Sequence, residues 1–169
     1  MASVSFPSEL FDSFVEHLNS VPESIAFMRC PVPGEDRVFR VEELRTVDHP
    51  PYDLRSDVHC ELDDELRAEV IRWAWDSNSC LIEAHSHGLL FSPAQFSRFD
   101  LRELSNWVPH VRWRLTGRPY VALVTASKEI DGLAWIDDGP EAVELVHIDG
   151  REPMQTTQRS LESWSTADD

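Results

Sequence analysis

Residues 80–100 have the sequence CLIEAHSHGLLFSPAQFSRFD, and the expected fold and site are built around this segment. Its first part, residues 80–85, is a short apolar run, which predicts a buried strand. A loop from His87 to Phe96 leads to a short predicted helix from residue 98 to about residue 107. A strand, a loop and a helix in this order place polar residues at the end of a sheet, where the loop begins.

Helices and strands alternate on both sides of this stretch. Apolar residues at helical spacing predict helices at residues 8–19 and 63–76. Apolar runs bounded by turn-forming residues predict further strands at residues 23–30, 37–44, 120–124, 132–136 and 143–148. Residues 49–57 contain two prolines and have no periodicity, so we expect a loop there.

This alternation predicts an α/β or α+β fold in which a central mixed β-sheet is flanked by helices. The chain has 169 residues, which is enough for one domain with a sizeable core. We assign residues 1–150 to that single domain. Residues 151–169 are polar and have no apolar period, so we expect a flexible C-terminal tail that is disordered or loosely attached.

The composition is strongly acidic. The chain has 31 Asp and Glu residues against 15 Lys and Arg residues, which gives a net charge of −16. Nucleic acids and anionic membranes are bound through clustered Lys and Arg. We therefore expect neither nucleic acid nor a membrane as a partner. The acidic surface reflects either a salt-rich cytoplasm or attraction of a basic protein partner, and composition leaves both open.

The three cysteines, Cys30, Cys60 and Cys80, predict a reducing compartment because they are odd in number, widely spaced and form no CxxC pair. The N-terminal segment lacks the basic start and apolar centre of a secretory signal. Charged residues also interrupt every apolar run that approaches the length of a membrane span. We expect a cytoplasmic protein with buried thiols.

Two histidines and an aspartate around the central loop form a candidate metal site. Because side chains two apart on a strand point to the same side, His85 and His87 can direct both imidazoles toward one point. Asp100, at the start of the next helix, can add a carboxylate. Two imidazoles and one carboxylate suit zinc and leave a fourth position open, as in catalytic sites. Neither part alone indicates a metal site, because His-x-His occurs by chance and Ser97-x-x-Asp100 also fits a helix capping box.

The combined pattern resembles the JAMM motif of the JAB/MPN metalloproteases. In that motif an upstream glutamate is followed by His-Ser-His and then by Ser-x-x-Asp. In this chain the segment between the histidines and the aspartate is similar to the corresponding segment of the prokaryotic members. The resemblance implies that His85, His87 and Asp100 bind zinc. It also implies that Ser97 stabilises an oxyanion and that Glu23, at the opening of the first predicted strand, is the general acid/base.

The same resemblance implies a fold and a reaction. The fold is the JAB/MPN-like (cytidine-deaminase-like) arrangement of three layers. The reaction is cleavage by a zinc-dependent isopeptidase or peptidase after the C-terminal glycine of a ubiquitin-like modifier, with Glu23 acting on a zinc-bound water. The expected partners are a ubiquitin-like protein or its conjugate, and E1-like or E2-like proteins of the same operon. Some operons of this kind serve antiphage defence.

Two other functions and one other base fit parts of the pattern. A metal-free MPN scaffold would bind a partner without catalysis, although it has no need for the complete set of Glu, His, His, Ser and Asp. A metallo-phosphoesterase or amidohydrolase also uses His-x-His, but near the start of a much longer barrel. Glu83 is an alternative base because it lies near the histidines, and it is equally compatible with orienting them or with a structural role.

Overall fold

The computed structural model describes residues 1–19, 24–47, 52–55, 60–62, 64–87 and 93–165. The strands are β1 (Ala2–Phe6), β2 (Ile25–Cys30), β3 (Val38–Arg40), β4 (Glu43–Val47), β5 (Tyr52–Arg55), β6 (Cys60–Leu62), β7 (Cys80–Ser86), β8 (Tyr120–Ala126), β9 (Glu129–Trp135), β10 (Pro140–Ile148) and β11 (Met154–Gln155). The helices are α1 (Ser8–Leu18), α2 (Asp64–Asp76), α3 (Arg98–Arg114) and α4 (Arg159–Ser165). Within the described ranges, no helix is long and apolar enough to cross a membrane.

One mixed sheet forms the centre of the molecule. Its strand order is β3-β1-β10-β9-β8-β7-β2-β4, and β11 pairs with β10 outside this path. Strand β7 lies between β2, to which it is antiparallel, and β8, to which it is parallel. Strand β10 changes partner along its length, because residues 140–142 pair with β9 whereas residues 143–148 pair with β1. The sheet therefore bends at β10, and β7 is an interior strand.

Helices cover both faces of this sheet. Side chains of α1 pack into one apolar cluster, and side chains of α2, α3 and α4 pack into the other. The alternation along β8 shows how one strand serves both clusters: Val121 and Leu123 belong to the first, and Tyr120, Ala122 and Val124 to the second. The expected class, a mixed sheet flanked by helices, is confirmed.

The single strand expected at residues 37–44 is wrong. The segment forms two short strands: β3 pairs with β1, and β4 pairs with β2. The backbone changes partner between them, because the Val41 amide donates to Ser5 O at 2.8 Å and the Glu42 amide to Arg29 O at 3.0 Å. The N-terminal strand β1, which pairs with both β3 and β10, has no counterpart among the predicted elements.

The loop expected at residues 49–57 is wrong for Tyr52–Arg55, which form β5 and pair with β6. The remainder of that expected loop lies outside the described residues. The helix expected to end near residue 107 continues to Arg114. Pro109 lies inside it, but Val108 and Val111 remain buried and continue the apolar stripe of the first turns. Burial of that stripe offsets the backbone hydrogen bond that proline cannot make.

The tail expected to be loosely attached instead packs on the domain from Met154 to Ser165, where it forms β11 and α4. The buried carboxylate of Asp131 accepts hydrogen bonds from the amides of Gln158 and Ser160. The Trp164 ring meets Trp135 edge-on, with 5.5 Å between ring centroids. Polar residues anchor this segment, which explains why an apolar period does not reveal it. Residues 166–169 lie outside the described residues.

Candidate metal centre

Strand β7 positions the two histidines at its C-terminal end. His85 lies within the strand, in register with Ile25 of β2 and Val124 of β8. His87 follows the last strand residue, and its amide donates to Thr125 O at 2.9 Å, so the backbone stays attached to β8 one residue beyond β7. The intervening Ser86 is buried. Two imidazoles two residues apart are thus presented from a fixed backbone on the same side of the strand.

The first turn of α3 supplies the carboxylate. Ser97 is the N-cap: its Oγ accepts from the Asp100 amide at 3.2 Å, and its amide donates to Asp100 Oδ2 at 2.7 Å. These reciprocal bonds form a capping box, which fixes the start of the helix. The same bonds fix the direction of the Asp100 carboxylate, because one of its oxygens is held by the backbone.

The three side chains converge on one point. The Nε2 atoms of His85 and His87 are 3.0 Å apart, and Asp100 Oδ2 lies 3.1 Å from His87 Nε2 and 3.7 Å from His85 Nε2. Ligand atoms on a tetrahedral zinc with bonds of 2.0–2.1 Å are about 3.3 Å apart. The side chains are 12%, 13% and 21% exposed, so the cluster is shielded but reachable. His85, His87 and Asp100 are therefore placed to bind one metal ion.

The electrostatics favour an ionised carboxylate. Burial opposes ionisation of Asp100, but the charge of the His85 imidazole and hydrogen bonds from His85, His87 and Ser97 outweigh it. The pKa of Asp100 is consequently held well below its ordinary value. The ionised Asp100 carboxylate can bind a divalent cation without first losing a proton, whereas an imidazole binds a cation only in its neutral form.

Glu83 lies two residues before His85, but its carboxylate accepts a hydrogen bond from the Tyr120 hydroxyl at 2.5 Å. Trp107 Nε1 in turn donates to the Tyr120 oxygen at 2.9 Å. Burial and the charge of Glu83 raise the pKa of Tyr120 well above its ordinary value, so the phenol stays protonated and remains a donor. These bonds connect β7, β8 and α3 through Glu83, Tyr120 and Trp107.

The remaining predicted site residues differ in what the structure describes. Ser97 is the exposed N-cap of α3, three residues before Asp100. Glu23 lies outside the described residues, so its role stays a prediction. The next residue, Ser24, is buried and exchanges two hydrogen bonds with Ser86, each of 3.0 Å. The described chain thus resumes one residue after Glu23, beside the serine that separates the two histidines.

Sequence reasoning missed the residues that support the loop before Ser97. The Phe96 ring lies against His85, with 5.4 Å between ring centroids, and is 2% exposed. The Phe96 amide donates to Ser160 Oγ at 2.9 Å. Ser160 belongs to the C-terminal segment for which the sequence predicts a flexible tail. No local pattern marks this contact, since the two residues are 64 positions apart.

Comparisons with known proteins give a fold likeness only. No family model matches the sequence, and no curated protein matches it. The solution structure of a protein from Desulfitobacterium hafniense matches with a TM-score of 0.55 and 15% identity, covering 88% of this chain and 94% of that chain. A protein from Salinibacter ruber matches with a TM-score of 0.47 and 19% identity, covering 89% and 95% of the respective chains. The first match supports the mixed α/β architecture.

Proposed function

We propose that this chain is a zinc-dependent isopeptidase or peptidase of the JAB/MPN type. The observation that carries the proposal is the convergence of His85, His87 and Asp100, whose ligand atoms lie 3.0–3.7 Å apart at the end of an interior strand. Two imidazole nitrogens and one carboxylate leave room for a fourth, exchangeable ligand, as in hydrolytic zinc sites. Zinc, when bound, supplies a Lewis acid that polarises a carbonyl and makes water more acidic.

Ser97 is suited to stabilise charge on the substrate. Its Oγ accepts a hydrogen bond from the Asp100 amide, and a serine hydroxyl can donate its own proton at the same time. Its exposed position beside Asp100 gives a substrate access to that donor. A donor directed at the oxygen that becomes negative in the transition state is worth more than one that binds the ground state. We assign this oxyanion role to Ser97.

Glu23 is the proposed general acid/base. Hydrolysis of an amide needs a group that takes a proton from water and delivers it to the leaving nitrogen. The hydrogen bonds between Ser24 and Ser86 support Glu23 for this task, because they attach its neighbour to the residue between the two histidines. Glu83 is less suited, because its carboxylate already accepts from the buried Tyr120 hydroxyl.

The proposed substrate is a ubiquitin-like protein that ends in glycine, or its conjugate. This part of the proposal depends on the resemblance of the His85–Asp100 motif to the JAMM metalloproteases. A glycine-ended tail has no bulky side chains and can lie extended along a strand edge, where its backbone is bound by main-chain hydrogen bonds. The extended tail would be recognised by these main-chain hydrogen bonds, and the particular modifier by contacts with its folded domain.

A fusion-cleavage assay tests the proposal. Ubiquitin-like proteins ending in Gly-Gly, each fused to a reporter protein, are incubated with the wild type and with His87→Ala and Glu23→Gln. We expect zinc-dependent cleavage after the last glycine and a loss of at least ~100-fold in each variant. His110→Ala is the matched control, since His110 lies on α3 but outside the metal cluster. Its activity should equal that of the wild type.

Three outcomes would contradict the proposal. Absence of zinc binding by the wild type would favour a metal-free scaffold. Hydrolysis of phosphoesters without peptide cleavage would assign the site to another reaction. Full activity of Glu23→Gln would leave the metal centre in place but remove Glu23 as the base.

A further inference from the structure

The C-terminal segment holds the loop that leads into the metal centre. Each of three consecutive loop residues is bound by one side chain of that segment. Thr157 Oγ1 donates to Ala94 O at 2.6 Å, Gln95 Nε2 donates to Ser163 Oγ at 2.6 Å, and the Phe96 amide donates to Ser160 Oγ at 2.9 Å. Ala94 and Ser160 are fully buried, so the contact is part of the interior.

Asp131 fixes the segment from the other side. It lies on β9 and is fully buried. Its Oδ2 accepts from the Ser160 amide at 2.7 Å, and its Oδ1 accepts from the Gln158 amide at 2.9 Å. Gln158 has φ +57°, a left-handed conformation that costs energy in a residue with a side chain. The carboxylate thus holds the chain in a turn that places Ser160 against Phe96.

The loop in turn touches two of the three metal-binding side chains. The Phe96 ring packs on His85 at 5.4 Å between centroids. The following residue, Ser97, donates its amide to Asp100 Oδ2 at 2.7 Å. A shift of the loop would therefore change the surroundings of His85 and the direction of the Asp100 carboxylate together.

We propose that Ser160 and Asp131 are positioning residues of the metal centre, so that docking of the C-terminal segment on residues 94–96 and metal binding stabilise each other. This inference rests on the metal centre of the proposed function, but not on its substrate. Coupling between two sites is reciprocal: whatever free energy the docked segment contributes to metal binding, the metal contributes to docking. Replacing a residue that only stabilises the fold would lower the free energy of unfolding but would leave the zinc affinity of the folded protein unchanged.

The first test compares zinc affinities. Zinc binding is measured by competition with a chromophoric chelator for the wild type, Ser160→Ala and Thr156→Val. Thr156 is the matched control because its buried Oγ1 donates to Val143 O, which ties the same segment to β10 instead of to the loop. Ser160→Ala should raise the zinc dissociation constant about tenfold, the lower end of the effect of removing a group that hydrogen-bonds a metal ligand directly, because Ser160 acts on His85 through Phe96. Thr156→Val should leave it unchanged.

The second test needs no variant of the segment. Hydrogen exchange is followed at the amides of Gln158 and Ser160, both bound to Asp131, and at the Thr156 amide, bound to Glu144 O. Zinc should slow exchange at the first two amides more than at the third, and should have no such effect in His87→Ala.

The outcomes separate this inference from the proposed function. If the wild type binds no zinc, both are overturned. If it binds zinc but Ser160→Ala and Thr156→Val change the affinity equally, or neither changes it, only the positioning role is overturned. Equal slowing of exchange at all three amides would indicate general stabilisation, and it would also overturn the positioning role.

Discussion

Replacing Asp100 by asparagine should separate the two roles of this side chain. In the zinc-free protein, Asp100 Oδ2 accepts from the Ser97 amide at 2.7 Å as part of the helix cap. An asparagine oxygen can accept the same bond, so the free energy of unfolding without zinc should fall by no more than ~1 kcal/mol, the usual value of a cap. Asparagine lacks the negative charge by which the carboxylate attracts a divalent cation, so zinc affinity should fall much further.

The expected effect of zinc follows from mass action. At a free zinc concentration of about 100 times the dissociation constant, binding to the folded state adds about 2.7 kcal/mol to the free energy of unfolding. For a chain of this size that corresponds to a rise in Tm of roughly 5–11 °C. The assay is thermal unfolding, followed by circular dichroism, with zinc and with EDTA. The wild type and His110→Ala should show the full rise, and Asp100→Asn almost none.

Equal zinc-dependent rises in the wild type and Asp100→Asn would refute the reasoning. In that case the carboxylate would not be a metal ligand, and the short distances between His85, His87 and Asp100 would reflect helix capping alone.

Three further predictions concern the same framework. Ser97→Ala should lower the free energy of unfolding by about 1 kcal/mol, because the helix cap is lost. The same variant should lower kcat of the proposed reaction ~100-fold. An unchanged kcat in the folded variant would contradict the oxyanion role of Ser97. Gly132→Ala should lower the free energy of unfolding, measured in urea, by about 1–3 kcal/mol. A Cβ at this position would lie 2.6 Å from Leu123 Cδ2 and 3.1 Å from Ala122 O. Gly139→Ala is the control and should be neutral, because a Cβ there would have no atom within 4 Å. Because the pKa of Asp100 is lowered by folding, its ionised form stabilises the fold above the ordinary carboxyl pKa of about 3.9, and that contribution should shrink as the pH falls from 4 to 2. Zinc-free wild type and Asp100→Asn should therefore converge in stability over this range, and a growing difference would contradict the sign of the shift.

The sequence predicts the parts of the site that depend on local order. His85 and His87 are brought together by the period of one strand, and Asp100 by the capping box that Ser97 begins. The contacts around the site depend on distant residues. Phe96 and Ser160 are 64 positions apart, and a buried aspartate on β9 fixes the turn before α4. No hydrophobic period in the sequence predicts such contacts between distant residues.

The same distinction applies to the fold. The apolar runs of β7 and β8 are buried on both faces and are easily recognised. Residues 37–44 also look like one strand, because their composition is uniform, but the backbone changes partner at Val41 and Glu42. Which neighbouring strand accepts each amide is a property of the assembled sheet. The C-terminal segment differs from the expected tail for a related reason, since side-chain hydrogen bonds rather than apolar surface anchor much of it.

The shared use of Asp100 has a consequence for how such a chain would diverge. Because the side chain at this position both helps to cap α3 and completes the candidate metal cluster, selection for folding alone would retain a capping side chain there, which asparagine also provides. Neither His85 nor His87 caps a helix, so helix formation does not depend on them. In a related chain without a metal at this position, aspartate or asparagine would persist at position 100, whereas the two histidines would be free to change. Loss of the His-x-His pair in related sequences is therefore the change that would most clearly indicate the absence of the proposed metal site.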